Sequence, residues 1–95
     1  GSALLAQTGL LDGKVATSNK RAFDWVKSTR QQVEWKGKAR WTVDGKFYTS
    51  SGISAGMDMT LGFVSDILGR EYTERITTEM EYHWNSNPHA DKFAK

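Results

Sequence analysis

The sequence predicts an α/β layer fold, and three observations carry the prediction. Apolar residues recur at helical spacing in two long stretches, Met57, Leu61, Val64, Leu68 and then Tyr72, Ile76, Met80. Short runs of β type, Lys14 to Thr17 and Ala39 to Val43, lie between helical segments and are bounded by turn residues. Asp44-Gly45 separates two such runs, the favoured chemistry of a two-residue hairpin turn. The predicted order is helix, strand, helix, hairpin, helix, helix, a succession that packs as layers around one core.

The first thirteen residues read as a helix. Ala3, Leu4, Leu5, Ala6, Leu10 and Leu11 make it apolar almost all round, as suits a helix buried against a sheet. Gly9 and Asp12-Gly13 close it and turn the chain toward the strand at Lys14–Thr17. A buried helix with no strand before it is expected to follow a strand-to-helix elbow, the place where α/β enzymes set nucleophiles. Ser18 or Asn19 then caps a helix from Lys20 to about Arg30, with Ala22, Phe23, Val26 and Arg30 on one face. Val33 to Gly37 carries no decisive period. Ala39, Trp41 and Val43 alternate with Arg40 and Thr42, which predicts a half-buried strand, and Lys46 to Ser50 pairs back on it.

Ser50 to Asp58 is a loop of small residues feeding a helix. Ser54 is the expected N-cap, and Asp58 places negative charge in the early turns. Gly69 ends that helix, and a last one runs from about Glu71 to Tyr82. The segment from Trp84 onward reads as a polar tail with a proline stop at Pro88, so the expected division is residues 1–84 for the domain and 85–95 for the tail.

Composition narrows the function classes. Thirteen Lys and Arg against eleven Asp and Glu leave a net charge of +2, too weak a field to predict nucleic acid or an anionic membrane as partner. There is no cysteine, hence neither a disulfide framework nor a thiolate metal site within this chain, in keeping with a reducing, cytoplasmic setting. No apolar run reaches membrane-spanning length. Four Trp, four Phe and three Tyr are a heavy aromatic load for 95 residues, and some of that surface is expected to be covered by another segment.

Few motifs carry chemistry by themselves. His83 and His89 are the two histidines, and Glu79 one turn before His83 does not complete a metal site, so no metal and no cofactor are expected. Trp35 to Trp41 interleaves basic and aromatic residues in the manner of single-strand binders, but one such run at low net charge reads as a solvated strand with snorkelling stems. Gly52 to Gly56 lacks the lysine and spacing of a phosphate-binding loop and reads as a tight turn into a helix.

Gly9-Leu-Leu-Asp-Gly-Lys-Val-Ala-Thr-Ser18, Asp44 through Asp58, and Glu79-Met80-Glu81-Tyr82 resemble the ThiJ/PfpI superfamily, within the class I glutamine amidotransferase-like group, and most closely its isonitrile-hydratase-like branch. The resemblance runs from residue 1 to about 83, with Tyr48 to Asp58 its most specific part. It implies the C-terminal half of a flavodoxin-like three-layer sandwich, with a β-hairpin and two C-terminal helices. It implies a cysteine nucleophile at an elbow just before Gly1, supplied by the N-terminal half of the same domain as a companion chain, so that no catalytic residue lies in this chain.

The pocket candidates that follow from the resemblance are Gly1, Ser2, Asn19, Gly52, Ile53 and Ser54. Many relatives carry histidine where Asn19 stands. Asparagine cannot act as a base near neutral pH, so the acid–base group is expected from the companion half, and Asn19 by itself reads as a helix cap. The implied activity is cysteine-dependent hydration or hydrolysis of a small electrophilic substrate, and the alternative is a ligand- or redox-sensing module of the same fold. A homodimer of the complete domain is the implied assembly.

Overall fold

In a computed structural model, which describes residues 1–94, the chain folds as α1 (Ser2–Gln7), β1 (Val15–Ala16), α2 (Phe23–Thr29), β2 (Glu34–Trp35), β3 (Trp41–Asp44), β4 (Phe47–Ser50), α3 (Ile53–Leu68) and α4 (Arg70–Glu79). The fold is α/β. β1 and β2 pair in parallel, Val15 opposite Glu34 and Ala16 opposite Trp35. β3 and β4 form an antiparallel hairpin with Trp41 opposite Ser50 and Asp44 opposite Phe47. Side chains join the two sheets where no backbone ladder does. The Val15 N–H donates to Asp44 Oδ2 at 2.8 Å, and the Thr17 N–H donates to Thr49 Oγ1 at 2.9 Å. Thr42 and Thr49 hydroxyls bond one another at 2.7 Å.

The apolar core gathers Ala6, Leu11, Ala16 and Val33, with Leu5, Trp35 and Phe47 packed on it. It lies where α1 and the turns after it meet the parallel strand pair. α1 is shorter than its sequence pattern and buries one side only. Ala3 and Ala6 are inside, while Leu4 and Leu10 are exposed. Thr8 ends it by donating its hydroxyl to the Leu5 carbonyl, and Gly9 then takes a φ of 83°. Asp12 and Arg30 form a two-pronged ion pair, 2.8 and 2.6 Å, that ties the loop after α1 to the end of α2. The Arg30 hydrogen bond holds the Asp12 carboxyl below its ordinary range.

Several elements differ from their sequence patterns for identifiable reasons. The hairpin turn is Gly45-Lys46, one residue later than Asp44-Gly45. Gly45 takes a φ of 59° and Lys46 does not follow it, so the glycine occupies the first central position, where a type II′ turn needs it. That shift keeps Asp44 in β3 and frees its carboxylate for Val15. The expected alternation in β3 fails, because Arg40, Trp41 and Thr42 are all buried and Val43 is exposed. Arg40 and Trp41 both turn to α3, while Thr42 bonds into the seam with β1 and β4.

α3 keeps Leu61 of its expected face inside and turns Met57 and Leu68 of that face outward. Its buried residues are Ala55, Asp58, Leu61 and Gly62, whereas Ile53, Met57, Ile67 and Leu68 point outward. The exchange has a steric cause. The Trp41 indole lies 3.0 Å from where a Cβ on Gly62 would sit, so only a small-residue face fits against β3. α4 behaves likewise, burying Thr73 and Thr77 and leaving Tyr72 and Met80 half exposed. Asp58 does not serve the helix N-terminus. It is buried and accepts from Arg40 Nη2 at 2.6 Å, Tyr82 Oη at 2.8 Å and the Asn85 N–H at 3.2 Å.

The Asn85 contact begins a set of ties along the segment read from sequence as a tail. No helix or strand occurs over residues 81–94. Nevertheless the Pro88 carbonyl accepts the Arg40 and Trp41 N–H groups at 2.6 and 3.2 Å, and Asp91 accepts the Ser51 hydroxyl at 2.7 Å. The molecule is a plate of 40 × 26 × 17 Å with a radius of gyration of 13.6 Å. A compact chain of this length has a radius of ~12.4 Å. Flattening of this kind leaves apolar side chains on the outer faces.

Candidate functional site

Two loops build the site. The first follows β1. Thr17 is fully buried, and its hydroxyl donates to the Lys36 carbonyl at 2.7 Å. Lys20 folds back beneath the loop and donates from Nζ to Thr17 Oγ1 at 2.8 Å and to the Ala39 carbonyl at 2.9 Å, with Asp91 Oδ2 at 3.7 Å. Burial pushes the Lys20 ammonium below its ordinary range, and the attraction of Asp91 opposes that shift. Asn19 sits at the outer bend. Its side-chain oxygen accepts the Arg21 N–H at 2.8 Å, an Asx turn ahead of α2, whose N-cap is Ala22. Asn19 is therefore not the helix cap that its position suggests.

The second loop joins β4 to α3. The Ser51 N–H donates to the Arg40 carbonyl at 2.9 Å. Gly52 is the N-cap of α3 with φ −80° and ψ −171°, ordinary extended backbone, and nothing lies within 4 Å of a Cβ built there. Ser54 is not the cap. It is the second residue of the helix, exposed, and no side chain caps this end. The Ile53, Ser54 and Ala55 N–H groups precede the first intrahelical bond, which Gly56 makes to the Gly52 carbonyl at 3.0 Å. These N–H groups give the loop a positive end.

Two clefts flank Gly52. One, of about 470 Å³, is lined by Gly1, Ser2, Leu5, Ser18, Asn19, Tyr48, Thr49, Ser50, Ser51, Gly52, Ile53, Gly56 and Met59. The other, of about 450 Å³, is lined by Asn19, Lys20, Arg21, Arg40, Ser51, Gly52, Ser54, Ala55, Asp91 and Phe93. Gly1, Ser2, Asn19, Gly52 and Ile53 thus come together in the first cleft, and Ser54 opens on the second. Asn19, Ser51 and Gly52 line both and form the partition between them.

The chemistry of the first cleft is that of hydroxyls, one amide and backbone. No carboxylate or imidazole is among its lining residues, so these groups can bind and orient a small polar molecule but cannot take a proton from one near neutral pH. Among the described residues no group of three or more His, Cys, Asp or Glu is placed to hold a metal ion. No helix among them is long and apolar enough to cross a membrane.

Ser54 gives a direct test of this geometry. Ser54→Ala is expected to change stability by less than about 0.5 kcal/mol, as for an exposed side chain without a structural bond. Thermal melts of the two proteins check it. A loss near 1 kcal/mol or more would mean that the hydroxyl caps α3 after all.

Lys20, Arg40, Ser51, Tyr48, Asp91 and Phe93 also line the clefts and were not among the sequence candidates. Ser51 lies inside the small-residue loop beside Gly52, and nothing in its local sequence distinguishes it from Ser50 or Ser54. Asp91 carries no local signal, because its partner Ser51 is forty positions away.

No family model matches the chain. It is 30% identical over 82 residues to isonitrile hydratase of Pseudomonas putida, covering 86% of this chain and 35% of that protein. It is 29% identical over 79 residues to the HTH-type transcriptional regulator CdhR of Pseudomonas aeruginosa, covering 83% of this chain and 23% of that protein. The chain spans about a third of the length of the first relative and about a quarter of the second.

Proposed function

We propose that this chain forms the C-terminal half of a ThiJ/PfpI-type, flavodoxin-like domain whose cysteine comes from a segment preceding Gly1. The observation that carries the reading is the meeting of Gly1, Ser2, Asn19, Gly52 and Ile53 around one cleft of about 470 Å³, although the loops are some thirty residues apart in sequence. A thiol entering that cleft near Gly1 would share it with hydroxyls, an amide and the start of α3, surroundings that favour a thiolate. The similarity to isonitrile hydratase supports a small carbon electrophile as substrate. In such a reaction the thiolate adds to the electrophilic carbon and water then displaces sulfur. For an isonitrile the net change is addition of one water to give the N-substituted formamide. The proton transfers require an acid–base group from the preceding segment, since the cleft lining here has none.

A second reading, a ligand- or redox-sensing module, is favoured by a different observation. On the family resemblance Asn19 stands where many relatives carry histidine, its oxygen accepts the Arg21 N–H, and the other relative is a transcriptional regulator. In either reading the outward residues Ile53, Met57, Ile67 and Leu68 of α3 support pairing of the complete domain with a second copy. A reducing, cytoplasmic setting belongs to both, since both depend on a free thiol.

The test joins this chain to the segment that precedes it and measures alkylation of the cysteine by iodoacetamide against pH, alongside formamide release from a small alkyl isonitrile. The thiol is expected to titrate below the ordinary cysteine value of about 8.5. Gly52→Val, which places two methyl groups in open cleft space, is expected to slow alkylation about tenfold while costing about 1 kcal/mol or less of stability. Formamide turnover selects the enzyme, and stoichiometric oxidation of the thiol to a sulfenic acid by added hydrogen peroxide, without turnover, selects the sensor. An unperturbed thiol indifferent to Gly52→Val would overturn both.

A further inference from the structure

The buried carboxylate of Asp91 is a group that the proposed reaction does not use. Its side chain is 1% exposed, although it belongs to a segment without helix or strand whose backbone lies largely at the surface. A charge is costly to bury unless it is paired and hydrogen-bonded, and Asp91 is both. Oδ2 accepts the Ser51 hydroxyl at 2.7 Å and lies 3.7 Å from Lys20 Nζ, whose side chain is 5% exposed. Oδ1 accepts the Phe93 N–H at 2.9 Å.

The placement of these partners matters more than their number. Lys20 belongs to the loop that carries Asn19, and Ser51 to the loop that carries Gly52 and Ile53. Asp91 is thus wedged between the two loops that make the partition of the clefts. Three residues earlier, the Pro88 carbonyl receives the Arg40 and Trp41 N–H groups. The segment is fastened at Pro88 and at Asp91, and Phe93, 71% exposed, then stands at the rim of the 450 Å³ cleft. Buried ion pairs add little net stability compared with apolar packing of the same volume. Their effect here is to fix one arrangement of two loops.

We propose that Asp91 is a positioning residue for the cleft, and that residues 85–94 are a strap whose fastening at Asp91 holds the Asn19 loop against the Gly52 loop and closes the outer cleft. Loss of the fastening loosens the strap from Pro88 onward, where only the two bonds to the Pro88 carbonyl remain, while the ties at Asn85 and Ser86, the hairpin and α3 stay in place. The inference concerns the cleft whichever group reacts there, and it does not depend on the cysteine reading.

The absence of cysteine from residues 1–95 makes a direct probe available in this chain by itself. Gly52→Cys places a thiol at the partition, and Thr60→Cys, on the exposed outer face of α3, serves as the control. In the protein as purified, Asp91→Ala is expected to raise the rate at which iodoacetamide alkylates Gly52→Cys about tenfold and to leave Thr60→Cys unchanged. Amide hydrogen exchange at Ser51, Arg40 and Trp41 should accelerate by a similar factor, with the amides of Leu61 and Gly62 inside α3 unaffected. Ser51→Ala removes one bond and leaves Lys20 and Asp91 paired, so it is expected to give the same local pattern more weakly and keeps the test intact should Asp91→Ala not fold. Equal acceleration at both thiols would mean that Asp91 supports the whole fold and no particular site. Unchanged reactivity at Gly52→Cys in both variants would mean that the loops hold their places without the strap. Either result overturns the proposal.

Discussion

Asp58→Ala is expected to cost about 3–5 kcal/mol, the penalty for breaking a buried ion pair from one side. Asp58 is 1% exposed and the Arg40 side chain 10% exposed, so water cannot replace the lost carboxylate at the guanidinium. The loss spreads beyond Arg40. Tyr82 Oη and the Asn85 N–H, which donate to Asp58 Oδ1, lose their acceptor, and the segment after α4 loses two of its ties to α3. Burial first, then the bond to Asp58, pushes the Tyr82 phenol above its ordinary range, and the variant should bring it back toward that of free tyrosine. Set against a total stability of roughly 5–15 kcal/mol, a loss of this size removes a large part of the fold. Urea unfolding followed by tryptophan fluorescence measures it directly. A double-mutant cycle with Arg40→Met separates the pair from the rest of the hub. A cost under about 1 kcal/mol would place Asp58 among solvent-screened surface charges, contrary to its burial.

Gly62→Val is expected to be the second most damaging change, at about 3 kcal/mol from forced displacement in a packed contact. Glycine within a helix normally costs about 1 kcal/mol relative to alanine, so substitution at an unconstrained position would stabilise α3. The sign reverses here, because a Cβ at residue 62 would lie 3.0 Å from Trp41 Cζ2 and 3.3 Å from Cε2. Trp41 is 5% exposed. α3 must then lift from β3, and with it the loop at Gly52. Trp41→Phe removes the clashing part of the indole, so Gly62→Val should be better tolerated in that background than in the wild type. Gly56 is the internal control, since the nearest atom to its Cβ would be Ser50 Oγ at 3.4 Å, an ordinary contact. Thermal melts of the single and double variants test the account. If Gly62→Val leaves the melting temperature unchanged, the close approach of α3 to β3 is wrong.

These two positions mark where sequence reasoning stops. Periodicity finds α3 and α4 readily, since each carries an apolar stripe at helical spacing. It places that stripe inside, because burying apolar area is the dominant favourable effect for a helix considered alone. The choice of face depends on what stands opposite. The Trp41 indole stands so close to α3 that position 62 takes only glycine, and Arg40 needs a carboxylate on the same buried face, which Asp58 supplies. No pattern internal to residues 53–68 contains that information.

The sequence alone determined the α/β class, the order of the four helices, β1 and the β3–β4 hairpin, the small-residue turn into α3 and the glycine stop at Gly69, but not β2, since Val33 to Gly37 carries no decisive period and becomes a strand only by pairing with β1. All are local properties of turn chemistry and spacing. It also excluded thiol chemistry within the chain and any strong electrostatic field. Tertiary structure decided the remainder. It shifted the hairpin turn to Gly45-Lys46, moved the cap of α3 from Ser54 to Gly52, and turned Asn19 from helix cap to Asx turn. It drew Gly1, Ser2, Asn19, Gly52 and Ile53 to one cleft, and it brought Asp91 of the polar C-terminal segment against Ser51. The Asx turn of Asn19 is local, to Arg21, whereas the Asp44–Val15 bond, the shared cleft and the Asp91–Ser51 bond depend on partners about thirty to forty residues away in sequence, whose pairing is set by shape and by the need to satisfy buried polar groups, and neither is written in any one stretch of chain.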